Sequence, residues 1–186
     1  MTEDGTIRHD ASGVSLELTM GDIAGQPGFD AVVNAANAEL RTGGGVAGAL
    51  HRAAGPGLAE EGRPMAPIAP GEAVVTSGHR LPNPWVIHCL GPVYGLDRPE
   101  DELLAACYRN ALRLAEERRF ASVAFPALST GAFGYPMEEA ARVALETVLS
   151  LAPELSSVKR IRFVLYDQGA LRTHARVLEE LTGGAK

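Results

Sequence analysis

The chain has 186 residues, of which 46% are hydrophobic and 22% are charged, and its formal net charge is −6. This length and composition are typical of one globular domain. The acidic charge excludes a strongly basic surface for a nucleic-acid backbone, so nucleic acid is not expected as a general partner. No apolar segment approaches the length of a membrane span, and residues 1–13 lack the apolar core of a signal peptide. We therefore expect a cytoplasmic monomer without a membrane partner.

Cysteine and histidine usage predicts neither a metal site nor a disulfide. Cys89 and Cys107 have no Cys or His neighbours at zinc-site spacing, and we expect both to be reduced core residues. The five histidines share no metal-binding spacing. His88 lies in an apolar strand and is expected to be a core histidine with satisfied hydrogen bonds. No metal and no cofactor are expected.

Hydrophobic periodicity divides the chain into alternating strands and helices. Residues 1–13 are expected to form an N-terminal tail with at most one short edge strand, residues 14–182 the domain, and residues 183–186 a C-terminal tail. The predicted strands are Val14–Met20, Asp30–Ala35, Glu72–Thr76, Trp85–Leu90, Ser122–Phe125 and Arg160–Tyr166. The predicted helices are Val46–Ala54, Glu100–Arg118, Met137–Leu151 and Gly169–Leu181, with a further turn at Leu58–Arg63.

Strands that alternate with helices indicate an α/β layered fold with a largely parallel sheet. In such folds ligands bind beyond the carboxyl ends of the strands. Three loops are predicted to lie there, after Met20, after Ala35 and after Phe125.

The first loop reads Gly21-Asp22-Ile23. A carboxylate just past a strand can accept a hydrogen bond from an exocyclic amine such as that of adenine. The alternative is an ordinary turn or helix-cap aspartate, which is the better interpretation of Asp22 when this loop is considered alone.

The second loop places Asn34 and Asn37 at the end of an apolar strand, followed by Gly43-Gly44-Gly45 and a helix from Val46. Asparagine carries a donor and an acceptor, which suits sugar hydroxyls. The glycines let the backbone approach a ligand closely, and the helix start offers free N–H groups to an anion. The alternative is a flexible surface turn.

The glycines of this loop also match a dinucleotide-binding spacing, G-x-G-x-x-G, at Gly43, Gly45 and Gly48. That motif needs its first glycine directly after the strand and an acidic residue about 20 residues further on. Here seven residues separate Ala35 from Gly43, and no acidic residue lies between Arg63 and Gly71. The sequence therefore does not predict a Rossmann site.

The third loop contains Ser129, Thr130, Gly131 and Ala132 before Phe133. Small residues here offer backbone donors to an anion, and Phe133 could stack on a sugar. The alternatives are a loop hydroxyl for Ser129 and a core position for Phe133. Position 127 is Ala, whereas a serine nucleophile elbow needs Gly there, so a serine hydrolase is not expected.

Tyr166 ends the last predicted strand. Its ring could stack on a base, or it could be an aromatic cap at the edge of the core.

Taken together, these segments resemble the macrodomain family, and the resemblance extends from about Val14 to Leu181. The segments that carry it are Gly21–Ile23, Val32–Asn37, Gly43–Val46, Ala49–Gly55, Val86–His88 with Gly91-Pro92, and Leu128–Pro136. The resemblance implies a three-layer α/β/α sandwich around a mixed, largely parallel sheet, with a cleft for ADP-ribose.

The resemblance also implies roles for individual residues. Asp22 would bind the adenine amine, with Ile23 and Tyr166 beside the base. Asn37 would bind the distal ribose near the bond to be cut. One phosphate would be held by Gly44, Gly45 and Val46, and the other phosphate and the distal ribose by Ser129, Thr130, Gly131, Ala132 and Phe133. We also expect Asn34 to contact the ligand, and Asn37 and Phe133 to be the catalytic residues.

One position departs from the family pattern. Macrodomain hydrolases of one type read Gly-Val-Asp-Gly where this chain reads Gly45-Val46-Ala47-Gly48; viral macrodomains share the alanine and are regarded as hydrolases. The resemblance implies hydrolysis of ester-linked mono-ADP-ribose from Asp or Glu of modified proteins. The alternatives are a non-catalytic ADP-ribose reader and a deacetylase of O-acetyl-ADP-ribose. ADP-ribosylated ends are the one form of nucleic acid expected as a ligand.

Overall fold

The computed structural model describes residues 2–183, which form a seven-stranded sheet covered by helices. The strands are β1 Ile7–Ala11, β2 Val14–Met20, β3 Ala31–Ala35, β4 Ala73–Ser77, β5 Trp85–Cys89, β6 Ser122–Phe125 and β7 Arg160–Leu165. The helices are α1 Gly45–Ala54, α2 Gly57–Gly62, α3 Glu100–Glu117, α4 Met137–Leu151 and α5 Gln168–Thr182. Short 3₁₀ turns follow α2 and α4, at Arg63–Met65 and Ala152–Glu154.

The sheet is mixed, with the order β1-β2-β7-β6-β3-β5-β4. The five central strands are parallel, and only the edge strands β1 and β4 run antiparallel to their neighbours. β3, β5 and β6 are buried on both faces and read as short, largely apolar runs, whereas β2 and β7 alternate apolar with polar residues over part of their length. The predicted α/β fold with a largely parallel sheet is confirmed.

Two helical layers cover the sheet. Residues of α3, α4 and α5 pack on one face in the larger core cluster, and α1 and α2 contribute Leu50, Ala54 and Leu58 to a second cluster on the other face. This arrangement is the three-layer sandwich that the resemblance implies. Among residues 2–183, no helix combines the length and apolar character needed to cross a membrane.

The structure moves several predicted boundaries by one residue. β3 begins at Ala31 because Asp30 binds the segment that enters β6 instead. The Asp30 N–H donates to Ser122 Oγ (2.9 Å), and the Asp30 carboxylate accepts from the Ala121 N–H (2.6 Å). α5 begins one residue earlier than predicted, after the Asp167 side chain, which accepts from the Ala170 N–H (2.8 Å).

The structure describes part of both predicted tails. Within the predicted N-terminal tail, Ile7–Ala11 forms an edge strand whose five residues pair with β2. Of the predicted C-terminal tail, Gly183 ends α5 in a left-handed conformation, and residues 184–186 lie outside the described part of the chain.

Candidate functional site

The carboxyl ends of the five parallel strands meet at one edge of the sheet. The register pairs Met20 with Leu165 and Ala35 with Cys89, so the strand ends lie side by side. The loops after β2, β3 and β6 therefore start from a common edge, as the sequence predicts. This is where α/β folds bind ligands.

The first loop brings Asp22 and Tyr166 to the same end of this edge. The Gly21 N–H donates to the Leu165 carbonyl at 3.0 Å, which fixes the two chain segments against each other. Asp22 is exposed, and its carboxylate accepts one hydrogen bond, from the Ala24 N–H at 2.9 Å. Ile23 is buried in the second core cluster.

Tyr166 does not cap the core. β7 ends one residue earlier, and the Tyr166 side chain is 94% exposed. A large aromatic ring left in water beside Asp22 is available to stack on a planar ligand.

The second loop is closed by the side chain of Asn37. Its Nδ2 donates to the Arg41 carbonyl at 2.8 Å, and its Oδ1 accepts from the Arg41 N–H at 3.1 Å. An amide group has two donor hydrogens and two acceptor lone pairs. Asn37 is thus held in one orientation and retains one donor and one acceptor for a ligand.

The start of α1 offers backbone N–H groups beside Asn37. Gly44 is extended, Gly45 has φ +55°, and the first helical hydrogen bond runs from the Gly48 N–H to the Gly44 carbonyl at 3.1 Å. The preceding N–H groups have no partner within the helix. Gly44 and Gly45 have open space where a side chain would be.

Gly48 has a packing role that the sequence analysis did not identify. A Cβ at this position would lie 2.6 Å from the carbonyl oxygen of Gly43 and 2.9 Å from Arg52 Nη1. The helix therefore approaches the glycine loop more closely than any side chain would permit. The third glycine of the apparent dinucleotide motif thus serves contact between the loop and the helix.

The third loop is a compact turn with inward-facing carbonyls. Ser129 adopts φ +67°, and its carbonyl accepts from the Tyr135 N–H at 2.9 Å. The Gly134 N–H donates to the Gly131 carbonyl at 3.0 Å, and Thr130 Oγ1 donates to the Ala127 carbonyl at 2.7 Å. Gly131 and Ala132 are exposed at its tip.

The Ser129 hydroxyl is buried and has no hydrogen-bond partner among the described residues. It occupies the space over Gly91, where a Cβ would lie 2.1 Å from Ser129 Oγ. Gly91 thus makes room for this loop. The sequence shows the glycine but gives no sign of its contact, because the two residues come from different strand ends.

Phe133 connects the third loop to the second. Its half-buried side chain packs against the cluster formed by Ala36, Leu40, Ile68 and Leu90. One side of the ring therefore belongs to a core, and the rest remains accessible near the loop that carries Asn37; contact with a sugar stays a prediction.

Asn34 does not face the surface of the cleft. It is only 1% exposed, and its Nδ2 lies 3.0 Å from Nδ1 of His88. His88 Nε2 lies 2.9 Å from Thr76 Oγ1, so His88 is the satisfied core histidine that its apolar strand predicts. Asn34 Oδ1 has no hydrogen-bond partner among the described residues but is also buried, so burial keeps this side chain away from the surface of the cleft.

Burial determines the ionisation of this histidine. Desolvation lowers the pKa of His88 to about 4, and the neighbouring His51 acts in the same direction. A neutral His88 can accept at Nδ1 from Asn34 and donate at Nε2 to Thr76, which assigns one tautomer. Burial likewise raises the pKa of both cysteine thiols, and both are free, as predicted.

Asn83 is a further structural residue that the sequence analysis missed. It is buried, and its Nδ2 donates to the carbonyls of Gln26 (2.7 Å) and Phe29 (2.8 Å). It thereby fixes the course of the loop after β2. More than fifty residues separate the partners, so no local pattern indicates the contact.

The surface next to the third loop is acidic. A depression of about 570 Å³ beside α4 is lined by Asp101, Tyr135, Pro136, Glu138, Glu139, Arg142, Val143 and Glu146. Four carboxylates against one guanidinium disfavour a polyanion in this depression. Within residues 2–183, no group of three or more His, Cys, Asp or Glu side chains is arranged to hold a metal ion.

Comparison with known proteins identifies the class to which this fold and cleft belong. Residues 33–144 match the family model described as Macro domain. An O-acetyl-ADP-ribose deacetylase of Salmonella typhimurium is 45% identical over 170 residues, which cover 89% of this chain and 94% of the relative. A macro domain-containing protein of Methanosarcina mazei is 41% identical over 177 residues, covering 91% and 94%.

Solved structures of macrodomains also resemble this chain. The Oceanobacillus iheyensis macrodomain with ADP superposes with a TM-score of 0.91 at 36% identity, covering 97% of this chain and 98% of that one. The Trypanosoma brucei macrodomain in complex with ADP-ribose gives 0.81 at 34% identity, covering 87% and 68%. This chain belongs to the macrodomain family.

Proposed function

We propose that this macrodomain binds ADP-ribose in the cleft formed by its three loops and hydrolyses an ester bond at the distal ribose. The observation that carries the proposal is the placement of Asn37. Its amide is fixed by Arg41, retains a free donor and acceptor, and lies beside the free N–H groups at the start of α1. One end of the cleft thus combines an anion-binding backbone with an oriented polar side chain.

The parts of ADP-ribose match, in order, the chemical groups along the edge of the sheet where the strands end. The Asp22 carboxylate accepts a hydrogen bond from the exocyclic amine of adenine through its remaining lone pairs, and the exposed ring of Tyr166 stacks on the base. The N–H groups of Gly44, Gly45 and Val46 hold one phosphate. Those of the third loop hold the other phosphate and position the distal ribose. The macrodomains of known structure that were described with ADP and with ADP-ribose support this ligand.

The proposed reaction uses a water held between Asn37 and a phosphate of the ligand. Position 47 carries a buried alanine, so no carboxylate at that position activates the water. Orientation must therefore supply most of the rate, and it can contribute up to about 7–11 kcal/mol. Phe133, fixed on the cluster with Ala36 and Leu90, restricts the distal ribose to one pose.

O-acetyl-ADP-ribose is the first proposed substrate, because relatives 44–45% identical are named for its deacetylation. Water attacks the acetyl carbonyl carbon, the ribose oxygen leaves with a proton, and acetate is released. Ester-linked mono-ADP-ribose on Asp or Glu is the second: water attacks the anomeric carbon, the bond from that carbon to the ester oxygen breaks, and the Asp or Glu carboxylate and a proton are released. A substrate linked to a protein needs an open cleft. The second substrate is therefore favoured by the exposed backbone at Gly44, Gly45, Gly131 and Ala132.

The test is hydrolysis with substrate in large excess over protein, using O-acetyl-ADP-ribose and a protein mono-ADP-ribosylated on glutamate. We expect multiple turnovers, and a loss of about 100-fold or more in Asn37→Ala, in line with the removal of one catalytic hydrogen-bonding group. Affinity for ADP-ribose should fall much less. Asn110→Ala is the matched control, because Asn110 also donates to a backbone carbonyl (Gly71, 2.8 Å) but lies outside the three loops.

The outcomes separate the candidate functions. Turnover of only one substrate selects between the two esters. Binding of ADP-ribose without turnover of either would make the protein a non-catalytic reader. Equal loss of binding and turnover in Asn37→Ala would limit Asn37 to closing its loop.

A further inference from the structure

A continuous chain of polar contacts runs from the sheet to the carbonyl of Asp22. Glu17 accepts from Arg162 Nε at 2.6 Å, and Arg162 Nη1 donates to Gln26 Oε1 at 3.0 Å. Gln26 Nε2 then donates to the Asp22 carbonyl at 2.8 Å, and the same carbonyl accepts from the Gly25 N–H at 3.0 Å. The Gln26 side chain is buried at 6% exposure, so water competes little for these bonds.

The chemistry of its partners fixes the orientation of the Gln26 amide. A guanidinium can only donate and a carbonyl oxygen can only accept. The amide oxygen must therefore face Arg162, and the amide nitrogen must face Asp22. A flipped amide would place two donors together at one end and two acceptors together at the other.

The far end of the chain is rigidly anchored. Glu17 is 2% exposed and also contacts Arg8 (3.5 Å) and Arg160 (2.8 Å). Burial by itself would raise the pKa of Glu17, but the hydrogen bonds and charges of Arg160 and Arg162 outweigh it and hold the pKa below its ordinary value. The carboxylate therefore stays ionised.

The ring of Phe29 lies against the same guanidiniums, with the Arg160 and Arg162 carbon centres 4.4 Å and 4.8 Å from its centroid. Phe29 is buried. Arg162 is thus held on one side by Glu17 and on another by an aromatic face, which leaves its Nη1 directed at Gln26.

We propose that Gln26 is a positioning residue that sets the base selectivity of the cleft. It fixes the backbone of Asp22, so the carboxylate meets the exocyclic amine of adenine and discriminates against a base with a carbonyl at that position. This inference rests on the proposed binding of the adenine end by Asp22. Ligands with an amino-substituted purine are selected, and their hypoxanthine counterparts are disfavoured.

The test compares dissociation constants for ADP-ribose and inosine diphosphate ribose, in which a carbonyl replaces the amine. A hydrogen bond to a charged group changes binding by about tenfold or more, so the wild type should prefer ADP-ribose by about that factor. Gln26→Glu keeps an acceptor for Arg162 but removes the side-chain donor to the Asp22 carbonyl, which leaves the Gly25 N–H as its donor. We expect its preference to fall to about threefold or less.

Controls separate a specific effect from general loosening. Gln26→Met, which has no polar terminus, should lose the preference as well. Glu116→Gln weakens an equally polar contact at the opposite edge of the sheet, where Glu116 accepts from the Ser157 and Val158 N–H groups. It should keep the wild-type preference.

A folded Gln26→Glu protein with the wild-type preference would overturn the inference. Asp22→Ala distinguishes this failure from failure of the proposed function. If Asp22→Ala also keeps the preference, the proposed adenine contact itself is wrong. If only Asp22→Ala loses it, the contact stands and Gln26 does not position it.

Discussion

Substitution of Gly48 by alanine probes how closely α1 must approach the glycine loop. The added methyl would lie 2.6 Å from the Gly43 carbonyl oxygen, a distance that real Cβ contacts essentially never show. Arg52 can move its exposed side chain away, but the Gly43 carbonyl can retreat only if the backbone of the loop moves.

Two opposing effects determine the stability of Gly48→Ala. Overpacking costs about 1–3 kcal/mol, while alanine is favoured over glycine inside a helix by about 1 kcal/mol. The net loss in free energy of unfolding should therefore be only about 0–2 kcal/mol. Binding should suffer more, because the displaced N–H groups of Gly45 and Val46 no longer converge on a phosphate. Hydrogen bonds to a charged group are worth about 1.5–3 kcal/mol, so affinity for ADP-ribose should fall by about tenfold to a hundredfold.

Calorimetric titration with ADP-ribose and chemical denaturation measure the two effects separately. Gly57→Ala is the matched control, since its methyl would meet His79 Nδ1 at the same 2.6 Å, at the start of α2 and away from the glycine loop. It should leave affinity unchanged. A folded Gly48→Ala protein that binds ADP-ribose as tightly as the wild type would refute the reasoning.

Two further predictions follow from exposure and from pKa. Tyr166→Ala should weaken ADP-ribose binding by about fivefold to a hundredfold, because base stacking worth about 1–3 kcal/mol is lost, and it should not lower stability. Leu96 is also exposed (74%), so Leu96→Ala should change neither affinity nor stability. Unchanged affinity of Tyr166→Ala in calorimetry would contradict the stacking role. The pKa of His88 in the folded state, about 4 against 6.5, means that the unfolded chain takes up this proton first, so stability falls as pH drops from 6.5 towards 4. Between pH 7 and pH 5, the free energy of unfolding should fall by about 2 kcal/mol more in the wild type than in His88→Gln. Chemical denaturation at the two pH values measures this difference, and equal decreases in the two proteins would contradict the lowered pKa of His88.

The sequence predicts the architecture well because its signals are local. Alternation in Val14–Met20 and the amphipathic period of Met137–Leu151 give both elements their observed bounds. A parallel sheet then places the ends of its strands at one edge whatever the details of the loops. The positions of the three loops follow from that topology.

The interior of the site could not be predicted in the same way, because its contacts join distant segments. Asn34 reads as a polar residue at a strand end, but its partner His88 lies 54 residues away on the adjacent strand. Gln26 carries no motif, and its partner Arg162 comes from the other end of the chain. Such residues are identified only when the strand register is known.

The exposure of individual aromatic side chains could not be predicted from the sequence either. Tyr166 ends an apolar run, which suited either a capping aromatic or a stacking ring. β7 ends at Leu165 and the Tyr166 ring is exposed, so it does not cap the core; stacking on a base stays a prediction. Phe133 suited both a core position and ligand contact; its half-buried ring packs on a core cluster, and the ligand contact stays a prediction.

The most direct test of the central claim is to map backbone amide chemical shifts in an NMR titration with ADP-ribose. We predict that the amides of Gly44, Gly45 and Val46 and those of residues 129–134 shift together, along with those of Asp22 and Tyr166. The amides of residues 155–159, at the opposite edge of the sheet, should not shift. An absence of saturable shifts, or shifts that leave the start of α1 and the loop after β6 unchanged, would contradict the assignment of this cleft to ADP-ribose.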